Sequence, residues 1–308
     1  MKFDMRSDMN RQFSKALIVS SPTADAAKIA ESGNFIDGDL QLADSQIIFH
    51  GRNNYIVTNG RVELTGSRLE FFSDNSLIFL DQARTKYILD AHLGFGCTVF
   101  FGQGAGFGGA VTVTCAEEAN VIVGQECAFG AGVRLCAGDL LPVWDELTAL
   151  RVNNSASIYL GNHVWIAEEA YITRGVSIGS GSIVAPRSVV FKSVGTNVNL
   201  AGNPAEIINK KVCWSRHNLF ETPDFNQPES KRPRSLSQMS GYQGNSPGEE
   251  IAIFSSTENT LKVLYQLCES VLTAGFDPAP KAEFLRNVLV PYRDGASPAY
   301  LDDVLSGE

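Results

Sequence analysis

The sequence predicts an all-β solenoid, a left-handed parallel β-helix, with a small C-terminal helical appendage. The first observation is a six-residue period of aliphatic side chains, at Leu160, Ile166, Ile172, Ile178, Val184 and Val190. The second is that the residue after each of these is mostly small, as at Gly161 and Gly179. Neither an α-helix nor an amphipathic strand has a period of six. A chain that turns a corner every six residues does, because three short strands then close a coil of about 18 residues with the aliphatic side chains inside.

The same phase extends upstream of this stretch. Two further series step by six, namely Phe101, Phe107 and Val113, and then Val123, Phe129 and Leu135. Before them the repeat is looser, about 21–22 residues long, through the segments GRNNYIV (51–57), SDNSLIF (73–79) and GFGCTVF (94–100). We expect these segments to form longer, irregular coils of the same solenoid. Hexapeptide repeats are associated with left-handed coils, an exception to the usual right-handed crossover.

The remaining sequence divides into three flanking regions. Residues 1–44 are expected to lead into the solenoid, which spans 45–215. Residues 216–250 are rich in Pro, Ser, Gln and Gly and are predicted to be a disordered linker. Residues 251–308 are predicted to form a helical tail, with a first helix after the candidate N-cap Thr257, a second after Pro280 and a short third near Pro298. We expect the tail to pack on the solenoid; the alternatives are that it caps the solenoid or binds a partner.

Composition limits the classes of function. The chain of 308 residues has a formal net charge of −9 and no basic stripe, which argues against a nucleic-acid partner. We interpret its one basic cluster, at 231–234, as a solvated part of the linker. No apolar core of a signal peptide and no membrane-spanning run is present. The six cysteines have neither CxxC spacing nor a histidine at metal spacing, so we expect reduced thiols, no metal and a cytoplasmic location.

Three sequence pieces resemble one enzyme family. GNHVWI (161–166), GVSIGSGSIV (175–184) and AGNPA (201–205) are similar to the hexapeptide-repeat acyltransferases, in the branch that O-acetylates sugars and capsular or exopolysaccharides. The resemblance covers roughly residues 45–215. It implies acetyl-CoA as the acyl donor, a saccharide as the acceptor, and a homotrimer with active sites between neighbouring prisms.

Residues 136–159 interrupt the period and correspond to the catalytic loop that the resemblance implies. In relatives this loop resembles Asp-x-His-Pro-Ile-Tyr-Asp and supplies the catalytic histidine, whereas residues 139–145 here are DLLPVWD, with Leu141 in the histidine's place. A sugar hydroxyl needs a base to attack a thioester, and leucine has no lone pair. His163 is one candidate replacement base, with a structural or substrate-lining role as the alternative. Asp139 and Asp145 are further candidates if their pKa values are raised.

Other candidate positions follow from the same resemblance. Trp144 and Trp165 are candidates for substrate binding. Two positions that are usually glycine and allow a close approach of the coenzyme are Ala167 and Ala185 here. Asn203 belongs to the AGNPA piece, but the cation that usually follows this piece is replaced by Glu206. The remaining candidate contacts to the coenzyme are cations that could equally be plain surface residues: Arg187, Lys192, Lys210 and Lys211.

These residues leave three functions open. The first is an acetyl-CoA-dependent O-acetyltransferase with an altered base. The second is a catalytically silent solenoid that serves as a structural or binding partner in polysaccharide biosynthesis, as Leu141 and Glu206 favour. The third is transfer of a longer acyl chain, which an apolar leucine in the loop would admit.

Overall fold

The computed structural model describes residues 16–216 and 247–292 and has the predicted fold, a left-handed parallel β-helix with few helices. In chain order the strands are β1 (Leu17–Val19), β2 (Phe35–Ala43), β3 (Gln46–Phe49), β4 (Tyr55–Thr65), β5 (Arg68–Phe71), β6 (Leu77–Asp81), β7 (Leu89–Leu93), β8 (Thr98–Phe101), β9 (Gly106–Phe107), β10 (Val111–Cys115), β11 (Asn120–Val123), β12 (Ala128–Phe129), β13 (Val133–Cys136), β14 (Ile158–Leu160), β15 (Trp165–Ile166), β16 (Tyr171–Thr173), β17 (Ser177–Ile178), β18 (Ile183–Val184), β19 (Val189–Val190), β20 (Val198–Gly202) and β21 (Ala205–Lys210). The helices are α1 (Ala26–Glu31), α2 (Pro247–Thr273) and α3 (Pro278–Phe284), and a π-helical turn follows at Leu285–Leu289.

The strands form the three faces of a prism. Sheet A has the order β1-β3-β5-β7-β10-β13-β16-β19, sheet B the order β17-β14-β11-β8-β6-β4-β2, and sheet C the order β21-β20-β18-β15-β12-β9. From β7 onward the chain passes in turn through sheet A, sheet B and sheet C as far as β19, so the prism has an A–B edge, a B–C edge and a C–A edge. The earlier coils alternate between strands of sheets A and B. The parallel pairing already includes β2, ahead of the predicted start of the solenoid at residue 45.

The register confirms both repeat lengths. In the early coils of sheet A, each paired residue lies 22 positions further along the chain, through Ile47, Leu69, Ala91, Val113 and Leu135. In the late coils the step is 18, as in the pairs Ile166–Val184 and Ile172–Val190. The longer coils have room for wider corners, which explains the looser period in that part of the sequence.

The core is the inside of the prism. The six aliphatic residues of the period, from Leu160 to Val190, are at most 2% exposed. In earlier coils phenylalanines take the same inward positions, and the ring centroids of Phe101 and Phe129 lie 5.8 and 5.6 Å from that of Phe107. The preference for a small residue after each inward side chain has a steric reason. A Cβ on Gly161 would lie 2.6 Å from the backbone nitrogen of Ser180 in the next coil.

The helical tail packs against the outer face of sheet B, which was the first of the three alternatives. Its apolar contacts join one set of sheet residues (Val57, Leu77, Phe79, Phe100, Ile122 and Tyr159) to one set of tail residues (Leu261, Leu264, Cys268, Leu272, Ala282, Leu285, Val288, Leu289 and Tyr292). Polar contacts reinforce the interface, because the ammonium of buried Lys281 donates to the carbonyl of Gly96 at 3.0 Å.

The tail corrects two helix boundaries, because the first helix begins before Thr257 and the second begins at Pro278 rather than after Pro280. The predicted N-cap Thr257 lies inside α2, which begins at Pro247, since the apolar spacing marked only the part of the helix that faces the sheet. The second helix begins at Pro278, where Asp277 caps it by accepting the backbone N–H of Ala279 at 3.1 Å. The rest of the predicted linker, its basic cluster and the third helix near Pro298 lie outside the described residues. No helix in the described part of the chain has the length and apolar character needed to cross a membrane.

Candidate active site

The interruption of the period is an ordered excursion at the A–B edge, between the end of β13 and the start of β14. Asn153, which is 3% exposed, organises it. The side-chain amide of Asn153 donates to the carbonyl of Leu141 at 2.8 Å and to the carboxylate of Asp139 at 3.0 Å, and its oxygen accepts the N–H of Val143 at 2.7 Å. A β-bridge between Trp144 and Arg151 closes the excursion. The sequence pattern did not mark Asn153, because a single buried amide has no period.

Leu141 holds an outward position on this excursion. Its side chain is 61% exposed, although Asn153 fixes its backbone. Other exposed apolar side chains of the excursion are Leu140, Val143, Trp144, Leu147, Leu150 and Val152. The position at which the resemblance predicts a histidine therefore belongs to an apolar surface, which we name the excursion face, defined by these seven residues. Trp144, predicted to bind substrate, is part of it.

The two acidic candidates serve structural contacts. The carboxylate of Asp139 accepts a hydrogen bond from Arg174 at 2.6 Å as well as from Asn153. The carboxylate of Asp145 accepts the N–H and the hydroxyl of Thr148, both at 2.8 Å. These bonds lower the pKa of Asp145 below its ordinary value. A lowered pKa makes a carboxylate a weaker base, the reverse of what the sequence argument required of Asp145.

His163 lies at the B–C edge, away from the excursion. It is a corner residue with a φ of 53°, a left-handed conformation that histidine adopts more readily than most residues. Its ring stacks on Trp214, with centroids 4.0 Å apart and planes 10° apart, and its Nε2 donates to the carbonyl of Trp214 at 3.0 Å. Burial lowers the pKa of His163. The ring is thus neutral near pH 7, but one of its nitrogens is bonded to the backbone.

Residues 212–216 form a segment that we name the corner strap, which covers this edge. The indole N–H of Trp214 donates to the carbonyl of His163 at 2.8 Å. The guanidinium of Arg216 lies 5.3 Å from the centre of the Trp214 ring and donates to the carbonyls of Cys127 and Gly104 in earlier coils, at 3.1 and 3.2 Å. The strap therefore runs across successive coils. Trp165, the second substrate-binding candidate, is 39% exposed with its ring 5.9 Å from Trp214.

The six-residue period did not predict a role for Trp214 and Arg216, which follow the last strand, β21, after a short segment. Both follow the end of the repeat, where the period no longer indicates position.

The candidate contacts to the coenzyme lie apart from both the excursion and His163. Ala167 and Ala185 stack in successive coils at the C–A edge, where the N–H of Ala167 donates to the carbonyl of Val184 at 2.9 Å. Arg187 lies beside them, but its guanidinium is paired with Glu169 at 2.7 Å. The other candidates are exposed: Lys192 at the A–B edge, Asn203 in the turn between β20 and β21, and Lys210 and Lys211 at the end of β21. Among the described residues no group of His, Cys, Asp and Glu side chains is arranged to hold a metal ion.

One chain does not bring the candidates together. The excursion lies at the A–B edge, His163 and Trp165 at or next to the B–C edge, and Ala167, Ala185 and Arg187 at the C–A edge. The strands of the prism separate these edges. The three groups of candidates therefore do not form one site within this chain.

Comparison with known proteins supports the fold. No family model matches the chain. A polysialic acid O-acetyltransferase of Escherichia coli O1:K1 / APEC is 30% identical over 126 residues, which is 41% of this chain and 41% of that protein. The galactoside O-acetyltransferase of Escherichia coli strain K12 is 28% identical over 130 residues, 42% of this chain and 63% of that protein. The chain thus spans less than two thirds of the length of these curated relatives.

A solved structure extends the match. The polysialic-acid-specific acetyltransferase NeuO is 30% identical, with a TM-score of 0.53, over 60% of this chain and 80% of that one. The chain belongs to the hexapeptide-repeat, left-handed β-helix acyltransferase family, in the branch that contains the sugar and polysaccharide O-acetyltransferases.

Proposed function

We propose that the protein is an acetyl-CoA-dependent O-acetyltransferase that acts on a hydroxyl of a saccharide or polysaccharide. The observation that carries the proposal is the ordered excursion at the A–B edge. It keeps the frame of the family's catalytic loop, with Asp139, Pro142, an aliphatic, an aromatic and Asp145 in order. The names of the relatives, which describe acetyl transfer to polysialic acid and galactosides, support the reaction and the acceptor class.

The proposed assembly is a homotrimer whose active sites form between chains. Two observations support it: the candidate groups lie on three different edges of one prism, and the excursion face is apolar but exposed, as at Leu147, which is 94% exposed. Exposed apolar surfaces of this kind are typical of interfaces. Sedimentation at micromolar concentration should give a trimer, and a monomer would contradict the proposed arrangement.

The proposed donor is acetyl-CoA, bound near the C–A edge. Exposed Asn203 lies at this edge, and Arg187 would first have to leave Glu169. Lys192 lies at the A–B edge and Lys210 and Lys211 at the B–C end of β21, so these lysines would contact the phosphates of a coenzyme bound to a neighbouring chain. The methyl groups of Ala167 and Ala185 narrow the approach that glycine permits in relatives. The proposed location is the cytoplasm. Acetyl-CoA as the donor is consistent with it, and so are the six cysteines, all of which are free rather than paired in disulfides.

A catalytically silent binding partner is the second candidate. The observations that favour it are the exposed leucine at position 141 and the acidic Glu206 where relatives have a cation. The two functions make different demands on the same surface, because a silent partner needs neither coenzyme binding nor turnover.

The experiment compares the wild type with Leu141→His. Both are tested for binding to immobilised coenzyme A and for acetyl-CoA consumption with oligosaccharide acceptors. Because Asn153 fixes the backbone at position 141 and the side chain is exposed, an imidazole should be accommodated there. We expect the variant to raise transfer; the gain reaches the roughly 10²–10⁴ of a positioned base only if no other side chain of the wild type already supplies one. Leu140→His, one residue away and 83% exposed, is the matched control and should give no gain. Failure of both wild type and variant to bind coenzyme A would contradict the enzyme and favour the silent partner.

A further inference from the structure

A cavity of about 310 Å³ lies between the outer face of sheet A and the excursion. Phe72, His92 and Thr114 line it from the sheet, and Asp139, Leu140 and Pro142 line it from the excursion. The cavity is therefore next to the residue that replaces the family's catalytic histidine. It is also large enough for part of a sugar ring and its substituents.

His92 is the basic side chain on the sheet side of this cavity. It belongs to β7 and is 30% exposed. Its ring stacks on Phe72, with centroids 5.9 Å apart and planes 21° apart. Its Nε2 lies 3.1 Å from a carboxylate oxygen of Asp90 and its Nδ1 lies 3.9 Å from one of Glu70. The aromatic ring and the two carboxylates thus hold the imidazole at the cavity wall.

The other histidines have different surroundings. The chain contains four histidines. His50 is 9% exposed and bonded to Glu70 at 2.8 Å, and His163 lies under Trp214 at a different edge. His217 lies outside the described residues. Among the histidines that the structure describes, His92 is the one that lines a cavity together with the excursion.

We propose that His92, held between Phe72 and Asp90, is the general base that replaces the family's loop histidine for an acceptor hydroxyl bound in this cavity. The assignment rests on the proposed O-acetyltransferase function. In the step, Nε2–H of His92 donates to Asp90, and Nδ1, which lies 3.9 Å from Glu70, takes the hydroxyl proton while the oxygen attacks the carbonyl carbon of the acetyl thioester. The C–S bond breaks, an acetyl ester forms, and the imidazolium returns its proton to the coenzyme A thiolate.

The charges around the cavity suit this role. Glu70 faces His92 from β5 and Asp90 from its own strand. Across the cavity, Glu117 is bonded to Arg151 and Asp139 is bonded to Arg174, so these four charges largely compensate one another. Glu70 is itself paired with Arg68 at 2.6 Å and with His50 at 2.8 Å. Asp90 is therefore the carboxylate that stabilises the positive charge formed when the imidazole accepts a proton, as a carboxylate does beside a catalytic histidine.

The test measures acetyl-CoA consumption and ester product with an oligosaccharide acceptor, for the full chain as wild type, His92→Gln and Asp90→Asn. We expect His92→Gln to lower kcat by roughly 10²–10⁴ with unchanged acetyl-CoA binding. The fall of the wild-type rate at acid pH should disappear in this variant. Asp90→Asn, which changes a positioning residue, should shift that acid limb and lower kcat less. His50→Gln is the control, because it alters the histidine on the other side of Phe72 and keeps a donor for Glu70.

The outcomes separate the two proposals. Transfer by the wild type with a His92→Gln rate within about threefold of it would overturn the base assignment and leave the enzyme intact. No transfer by the wild type on any acceptor would overturn the proposed function and the base together. If His92→Gln fails to fold, His92→Ala assayed with added imidazole serves instead: rescue of the rate supports the assignment, and a rate that imidazole does not change contradicts it.

Discussion

Trp214→Ala perturbs the contact that links the corner strap to the prism. The indole stacks on His163 at 4.0 Å, donates to its carbonyl at 2.8 Å and lies under the guanidinium of Arg216 at 5.3 Å. An alanine keeps none of these contacts. We therefore expect the substitution to release the strap and to open the B–C edge around His163.

The magnitude follows from the lost contacts. A stacked aromatic pair contributes about 1 kcal/mol beyond its buried area. A partly exposed cation–π contact contributes about 0.5–1 kcal/mol, and a neutral hydrogen bond about 1 kcal/mol. The free energy of unfolding should therefore fall by about 2–3 kcal/mol at pH 7.5.

The same substitution should change the pH dependence of stability. Burial holds the pKa of His163 below its ordinary value in the folded chain, so the unfolded chain binds the proton more readily. The wild type consequently loses stability as the pH falls below about 6.5, until the folded-state pKa is also passed. Removal of the indole exposes the imidazole and raises its pKa towards the ordinary value. The difference between variant and wild type should thus be smaller at pH 5.5 than at pH 7.5.

The assay is urea denaturation followed by far-UV circular dichroism at both pH values, with an NMR titration of the His163 ring. Ile18→Ala is the control, since that side chain is 55% exposed on β1, away from the corner strap and the excursion face, and its loss should change stability by less than about 0.5 kcal/mol. Equal stability of Trp214→Ala and wild type, or an unchanged titration of His163, would refute the argument.

Two further predictions concern packing. Ile172 is fully buried inside the prism, so Ile172→Asp should yield no soluble folded protein on expression. Ile172→Val should lower the free energy of unfolding by about 0.5–1.5 kcal/mol in urea denaturation. A stable aspartate variant would contradict the inward position of this side chain. Leu285 is fully buried between tail and sheet B, so Leu285→Ala should cost about 2–5 kcal/mol and speed hydrogen exchange in α2. Unchanged exchange there would mean that the tail does not depend on this contact.

The position of the helical tail on sheet B could be predicted only in part from the sequence. Segments such as 77–80 and 99–101 are apolar at every position rather than at alternate ones, which is typical of strands buried on both faces. They accordingly point one set of side chains into the prism and the other set, with Phe79 and Phe100, at the tail. The pattern therefore indicated that something covers sheet B, but it did not identify the tail as the cover.

The sequence by itself determined the solenoid, its two coil lengths, its inward side chains and the position of the excursion. It could do so because each coil repeats the same local requirement, an aliphatic residue inside and a small one at the corner, as at Leu160 and Gly161. Only the tertiary structure decided that Trp214 covers His163, that Asn153 anchors Leu141, and that His92 shares a cavity with the excursion. These contacts join single side chains from different coils. A repeat in the sequence cannot predict such a contact, because the contact depends on where the folded chain places each edge of the prism.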